Sequence, residues 1–274
     1  MMHAPQSDTA AIASEVLNAL DTAKQIAPFS GRPAGLDLTA SYAVTAELRR
    51  LRQARGEKTV GRKIGFTNRA MWIEYGVGAP IWGDMYEHTV FDIAAIGGVF
   101  DVSLMLEPKI EPEVAFGIAR PPKPEMDEAA LLGCIDWIAH GFEIVQSPYP
   151  GWKFAAADCI AGGGLHGAYL MGPKHGIEDT ASALLQALPR FELEISRNGE
   201  VLDRGVGANV LDSPLSALRH LVTLLATDTS NPPLAAGEIV TTGTLTRAFG
   251  IAPGEKWATK ITGLPVAGIS VSFV

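Results

Sequence analysis

The sequence predicts an α+β fold, a mixed β-sheet with flanking helices entered through a helical N-terminal segment. Segments of strand-like and helix-like periodicity are interleaved without the steady β-α alternation of a purely parallel sheet. Glycine (29) and proline (18) are abundant in the 274 residues, which predicts many tight turns and a strand-rich architecture. No internal repeat and no low-complexity tract breaks the chain, so its length fits one large domain or two small ones.

The elements follow in order. Residues 8–27 place Ala, Ile, Val and Leu at helical spacing behind Ser7 or Asp8 as a cap, and a second helix runs from Thr39 to Arg55 and stops at Gly56. Arg49, Arg50, Arg52 and Arg55 on that helix read as a solvated face. Residues 1–56 thus form a helical N-terminal segment without linker composition, and residues 57–274 form the remaining domain. TVGRKIGFT reads as a strand and NRAMWIEYGVG as a short helix closed by glycine. WGDMYEHTV offers Asp84, Glu87 and His88, for which turn duty is the simplest role. IEPEVAFGI is a strand, DEAALLGC a helix that runs into a strand at IAHGFEIVQS, AAADCIAGGG a glycine-ended helix and GAYLMG a strand. FELEISRNGEVLDRG is a hairpin with Asn198-Gly199 at its turn. SPLSALRHLVTLLATD is an amphipathic helix capped by Ser213 with Pro214 at its first position. GEIVTTGT, EKWATKI and AGISVSFV complete the strands.

The formal net charge is −8 with no long Lys/Arg run, which argues against nucleic acid and anionic membranes as partners. An anionic small molecule stays open, because a bound cation reverses the local field. The N-terminus lacks the basic and apolar regions of a secretory signal, and LLGCIDWIAHGF is interrupted by Asp136 and too short to span a bilayer. Cys134 and Cys159 are too few for a disulfide scaffold and have no C-x-x-C spacing, so a reduced cytoplasm is the expected compartment.

The stretch richest in chemistry is Lys109-Ile110-Glu111-Pro112-Glu113-Val114. On a strand, residues i and i+2 share a face, so Glu111 and Glu113 point the same way. Pro112 has no N–H to give a neighbour and suits an edge or a strand start. E-x-E is common and usually solvated; here apolar residues flank each acid. Neighbouring carboxylates in such a setting either take up a proton or share a cation. Glu143, between Phe142 and Ile144, is the third acid, and three carboxylates in a half-open shell suit Mg²⁺ or Mn²⁺. Lys63 alternates with Arg62 and Ile64 on its strand; alone it would read as a surface lysine. His166 follows Gly162-Gly163-Gly164, either where backbone approaches a ligand or simply at a strand entry. No G-x-S-x-G elbow, Walker loop or H-E-x-x-H is present, and GVGANV lacks the third glycine of a dinucleotide fingerprint.

GRKIGFTNRAM, GVGAPIWG, KIEPEVAF, FEIVQSPYPGWKFAAADCIA, NGEVLDRGVGANVLDSPLSAL, GEIVTTGT and APGEKWATKITGL together resemble the 2-keto-4-pentenoate hydratase / 4-oxalocrotonate decarboxylase family of the fumarylacetoacetate hydrolase superfamily, over residues 40 to 274. The resemblance implies a mixed β-roll with flanking helices, usually in homo-oligomers, with possible association with a related pathway enzyme. It implies that Glu111, Glu113 and Glu143 are metal ligands, that Lys63 is the active-site lysine, and that a small 2-oxo acid is the substrate. It places Arg69 and Lys153 near the site as candidates to hold a distal carboxylate, solvated surface charges being the alternative. Two positions depart from the family pattern. Ile81 stands where many hydratases carry an aspartate, which looks more like the decarboxylase branch, and Ala161-Gly162-Gly163-Gly164-Leu165-His166 replaces the usual A-D-N-A-S-S run. The expectation is a lyase, decarboxylase or hydratase; the competing readings are an acylpyruvate-type C–C hydrolase with His166 or His88 as base, and a non-catalytic partner subunit.

Overall fold

The computed structural model describes residues 8–69, 72–75, 77–178 and 180–274. The helices are α1 (Thr9–Asp21), α2 (Leu38–Ala54), α3 (Trp72–Tyr75), α4 (Glu128–Leu132), α5 (Ala156–Ala161), α6 (Ala181–Ala187) and α7 (Pro214–Thr227). The strands are β1 (Thr59–Gly65), β2 (Ile81–Tyr86), β3 (Val90–Asp92), β4 (Val99–Phe100), β5 (Lys109–Ile118), β6 (Ile135–Val145), β7 (His166–Met171), β8 (His175–Gly176), β9 (Glu192–Arg197), β10 (Glu200–Val206), β11 (Ile239–Thr244), β12 (Phe249–Gly250), β13 (Lys256–Thr262) and β14 (Ser270–Phe273). None of the described helices is long and apolar enough to cross a membrane.

The larger sheet runs β2-β1-β11-β5-β6-β7-β3, with β12 on β5 and β8 on β6; the smaller runs β10-β9-β13-β14-β4. β1/β11, β3/β7 and β4/β14 are parallel and the other pairs antiparallel, which is the mixed sheet expected. One face of the larger sheet carries Ile64, Val114, Phe116, Phe142, Ile144 and Leu170 into the main core, which Leu215, Leu218, Leu221 and Leu225 of α7 share. Each such side chain contributes about 1.5–3 kcal/mol on burial. The alternate residues of the same strands therefore point to the opposite face, where the acids and Lys63 lie.

The N-terminal helices start where expected: Asp8 accepts from Ala10 N and Ala11 N, and Asp37 from Ala40 N. Both helices share a core with Ile81, Tyr149, Cys159 and Ile160, so α1 and α2 pack onto the wall of the site. The hairpin turns through Asn198 (φ 51°) and Gly199 (φ 87°), both left-handed as an Asn-Gly turn allows.

Three expectations are corrected. Arg49 is buried, because with Ser41, Val44, Thr45 and Leu48 it falls on the inward face of α2. Its guanidinium donates to Asp84 Oδ2 at 2.8 Å and to Asn231 Oδ1 at 2.8 Å. Asp84 accordingly does no turn duty; it lies on β2, opposite Arg62 of β1, and pairs with both arginines. Pro112 sits on a central strand. Its carbonyl accepts from Leu245 N, and the N–H it lacks would face the same side, where the β5/β11 register breaks between Thr241 and Thr244. A broken ladder tolerates proline as an edge does.

Candidate metal centre

Two adjacent strands supply the acids. Glu111 and Glu113 alternate along β5, and the antiparallel register sets Glu111 directly opposite Glu143 on β6. One oxygen from each of the three lies within 4.8 Å of the others. Glu113 and Glu143 are wholly buried and Glu111 half-buried. Glu113 Oε2 accepts from Gly243 N at 2.8 Å, while Glu113 Oε1 and Glu143 Oε2 are buried without a hydrogen-bond partner. Burying Glu113 Oε1 unpaired costs several kcal/mol, and a hard, oxygen-seeking divalent cation would satisfy it. The residues present fit Mg²⁺ or Mn²⁺.

Lys63, wholly enclosed on β1, brings Nζ to 3.1 Å from Glu143 Oε2 in an ion pair and donates to the Gly164 carbonyl at 3.0 Å. Gly164 is left-handed (φ +69°), and a Cβ there would stand 2.8 Å from Lys63 Cδ. The glycine run thus lets backbone close on the lysine stem. Gly243 has a similar constraint: its φ is +99° and a Cβ would meet Thr67 Oγ1 at 1.7 Å. That bulge turns the Gly243 N–H onto Glu113.

The charges are unequal. Burial, reinforced by the Glu143 charge, outweighs Lys63 and Lys109 and pushes the Glu111 carboxyl up to about 7. Burial and the Glu143 charge raise Glu113 well above the carboxylate range. Burial also opposes ionisation of Glu143, but the Lys63 ammonium and His166 outweigh it and hold Glu143 below its ordinary value. For Lys63 burial favours the neutral amine, and the three glutamates overcome it, so the lysine stays above the usual range. Without metal, the Lys63 ammonium therefore pairs with Glu143, while Glu111 and Glu113 hold their protons to higher pH than ordinary carboxylates do.

The sign of the linkage follows. Glu111 and Glu113 hold protons in the folded state that the unfolded chain releases near its ordinary carboxylate value. Rising pH from about 4.5 to about 7 therefore destabilises the metal-free fold. A bound cation displaces those protons, so its stabilisation grows across the same window. We expect the melting temperature gained with excess Mg²⁺ to be small near about pH 5.5. Near about pH 8 it reaches about 5–10 °C at a hundredfold excess over Kd. Thermal scans with and without Mg²⁺ at both pH values check this; a gain independent of pH contradicts the protonation scheme.

A cavity opens over the acids, lined by Lys63, Glu111, Glu113, Gly243 and Thr244 at its floor and by Phe66, Ile81, Trp152, Phe154 and Leu165 above. Ile81, paired with Gly65 two residues from Lys63, forms an apolar wall beside the ammonium. The other candidates fall outside. Arg69 donates to Asp212 at the surface at 2.9 Å, Lys153 is exposed between Trp152 and Phe154, and His88 is half-exposed near Glu57. His166 lies behind Glu143, its Nδ1 at 2.9 Å from Oε1. Gly243, Trp152, Phe154, Cys159 and Thr67 also belong to the site and were not singled out from the sequence; a glycine inside the strand TTGT was the available signal, since it marks a bulge.

A family model described as fumarylacetoacetate (FAA) hydrolase C-terminal matches residues 96–271. The chain is 30% identical over 266 residues to a 4-oxalocrotonate decarboxylase of Pseudomonas putida, covering 96% of each. It is 30% identical over 270 residues to 2-keto-4-pentenoate hydratase 1 of Dechloromonas aromatica strain RCB, covering 96% of this chain and 97% of that one. Among solved structures, 4-oxalocrotonate decarboxylase from Pseudomonas putida G7, complexed with magnesium and adipate, superposes with a TM-score of 0.87 at 29% identity over 97% of both chains.

Proposed function

The chain belongs to the fumarylacetoacetate hydrolase C-terminal family, and from that premise we propose that it is a divalent-metal-dependent lyase of small 2-oxo acids, acting as a decarboxylase of the 2-oxo-3-hexenedioate type. The clustering of three acids of β5 and β6 within reach of one ion, with Glu111 and Glu113 lining a cavity and Glu113 Oε1 buried without a hydrogen bond, carries the reading. Glu111, Glu113 and Glu143 would hold Mg²⁺ or Mn²⁺, and the bound cation supplies Lewis-acid polarisation of a chelating 2-oxo acid.

The remaining roles belong to the chain. Lys63 keeps a proton at Nζ beside the cluster, where it stabilises negative charge gathering on the 2-oxo oxygen or returns a proton to carbon. The ion pair with Glu143 and the bond to Gly164 hold that proton in place. Phe66, Ile81, Trp152, Phe154 and Leu165 exclude water from the far end of the substrate. Among the described residues lining the cavity, Lys63 is the one cation, and it sits at the floor. A carboxylate pressed against that apolar wall is poorly solvated and leaves readily as CO₂. Hydration would call for an acid–base group there, and Ile81 offers none. The hydrolase reading loses its base, because His166 is engaged with Glu143 and His88 lies outside the cavity.

The test is product analysis with 2-oxo-3-hexenedioate, 2-hydroxypenta-2,4-dienoate and an acylpyruvate in the presence of Mg²⁺. CO₂ release from the first is expected; acylpyruvate cleavage without CO₂ release or hydration overturns the assignment. The Ile81→Asp variant sharpens it. A carboxylate two residues along the ladder from Lys63 should raise hydration relative to decarboxylation by about tenfold or more. An unchanged product ratio counts against the role of the wall.

A further inference from the structure

Glu143 is the acid whose two oxygens are most clearly divided. Oε2 faces Lys63 and the cluster, while Oε1 faces the His166 ring. That contact depends on a break in the sheet. Along β6/β7 the pairs are Gly141↔Met171, Glu143↔Tyr169 and Ile144↔Ala168, and an unbroken ladder would next set Val145 opposite Gly167. The register slips by one there, so that Val145 faces His166 instead. Without the slip His166 would project to the main-core face; with it, the ring shares the face of Val145 and Glu143. Gly167 accommodates the distortion, since a Cβ there would meet Met105 Cε at 2.4 Å and Ile144 O at 2.7 Å. Leu165 takes a left-handed φ of 59° immediately before His166. A strained turn and a bulge together aim one imidazole.

The ring is held from both ends. Nδ1 lies 2.9 Å from Glu143 Oε1 and Nε2 lies 2.9 Å from Thr89 Oγ1, with the imidazole 4% exposed. Thr89 Oγ1 is in turn fixed by Tyr86, 2.9 Å from its carbonyl and accepting from its N–H at 3.1 Å. An ionised carboxylate only accepts, so wherever Glu143 is anionic the contact is His166 Nδ1–H donating to Oε1. An oxygen engaged in a charge-assisted hydrogen bond is not free to swing toward a cation.

We infer that His166 is a positioning residue that restricts Glu143 to one donor oxygen and thereby sets the cluster for a small octahedral cation in preference to Ca²⁺. The inference rests on the metal-centre reading above. Mg²⁺ demands near-ideal octahedral geometry at about 2.0–2.1 Å, to which single-oxygen carboxylates are suited. Ca²⁺ takes about six to eight ligands at about 2.3–2.6 Å and accepts two-oxygen carboxylates readily. Withholding Oε1 costs the larger ion a ligand and costs the smaller ion none.

The test is calorimetric titration of the metal-free protein with Mg²⁺ and separately with Ca²⁺, for the wild type, His166→Ala and His166→Asn. Removing the outer hydrogen bond in His166→Ala should weaken Mg²⁺ by about 10–100-fold, the range for loss of such partners. Ca²⁺ should weaken far less or tighten, so that the Mg²⁺/Ca²⁺ affinity ratio falls by about tenfold or more. His166→Asn carries an N–H at the place of Nδ1 and should restore most of the ratio. A general loosening of the site would lower both affinities together, and a ratio unchanged in His166→Ala overturns the inference while leaving the metal centre standing. A wild type that takes up neither ion overturns both. Nitrogen NMR of wild-type imidazoles gives a readout free of substitution: Nδ1 of His166 should carry its proton in the metal-free and Mg²⁺-loaded states, and a bare Nδ1 in either contradicts the assignment.

Discussion

Glu113→Gln should lose Mg²⁺ binding by more than about 100-fold, and turnover should fall by about three orders of magnitude or more, while the chain remains folded. The affinity loss exceeds what outer-shell changes produce, because a ligand is being removed. The turnover loss corresponds to several kcal/mol of polarisation no longer supplied, at about 1.4 kcal/mol per decade. Glutamine is the sharper probe. Its carbonyl can still accept from Gly243 N, replacing the bond at 2.8 Å, while its NH₂ group occupies the place of the orphaned Oε1. Glu113→Ala should abolish activity as well, but it leaves the Gly243 N–H without a partner and opens a cavity, so its stability readout is less clean. Removing one of several repelling buried acids should hold or raise the melting temperature of the metal-free protein, whose Glu113 is already driven toward its protonated form by burial and by Glu143. Calorimetric titration, steady-state rates and thermal scans check the three parts. Full turnover in Glu113→Gln would remove the acid from the proposed chemistry.

Lys63→Met should cut turnover by about 10²–10⁴-fold, the range for a proton donor at a reacting centre, with cation affinity held within about tenfold. Methionine keeps the stem that packs against Gly164 and loses only the charged head. Coulomb's law fixes the direction of the binding effect: the ammonium stands 3.1 Å from Glu143 Oε2, so its loss leaves the cluster more negative and no less attractive to a cation. A collapse of metal binding with kcat preserved would make Lys63 a structural support for the acids and not the proton carrier. Removing the partner of a buried carboxylate should also lower the melting temperature of the metal-free variant, and added Mg²⁺ should recover most of that loss.

The acids were legible in the sequence because strand periodicity is a geometric rule. Residues 111 and 113 had to share a face, and apolar neighbours marked them as buried. Their pairing with Glu143 across two strands was reached through the family resemblance; the apolar flanks of Glu143 were the local signal. Lys63 shows the limit of local reading. One strand separates its position from Glu111 and Glu113 in pairing order, β1 reaching β5 through β11, and spacing along the chain carries no trace of that. Arg49 and Asp84 were misread for the same reason: a charged residue on an inward helix face looks solvated until its partner, thirty-five residues away, is known to oppose it. Pro112 obeyed its rule through a broken ladder on β11 that lies far downstream. His166 had two readings, a backbone approach to a ligand or a strand entry; it does open β7, and the one-residue slip beside Val145 turns it onto Glu143. Bulges reassign faces, and no periodicity survives them.

The convergence of these acids on one ion is tested most directly by an anomalous difference map from crystals soaked with Mn²⁺. The expected result is one peak with an oxygen of each of Glu111, Glu113 and Glu143 at about 2.0–2.3 Å and its remaining positions open to the cavity. Absence of a peak at saturating Mn²⁺, or a peak that leaves any of those three acids out of reach, would contradict the account.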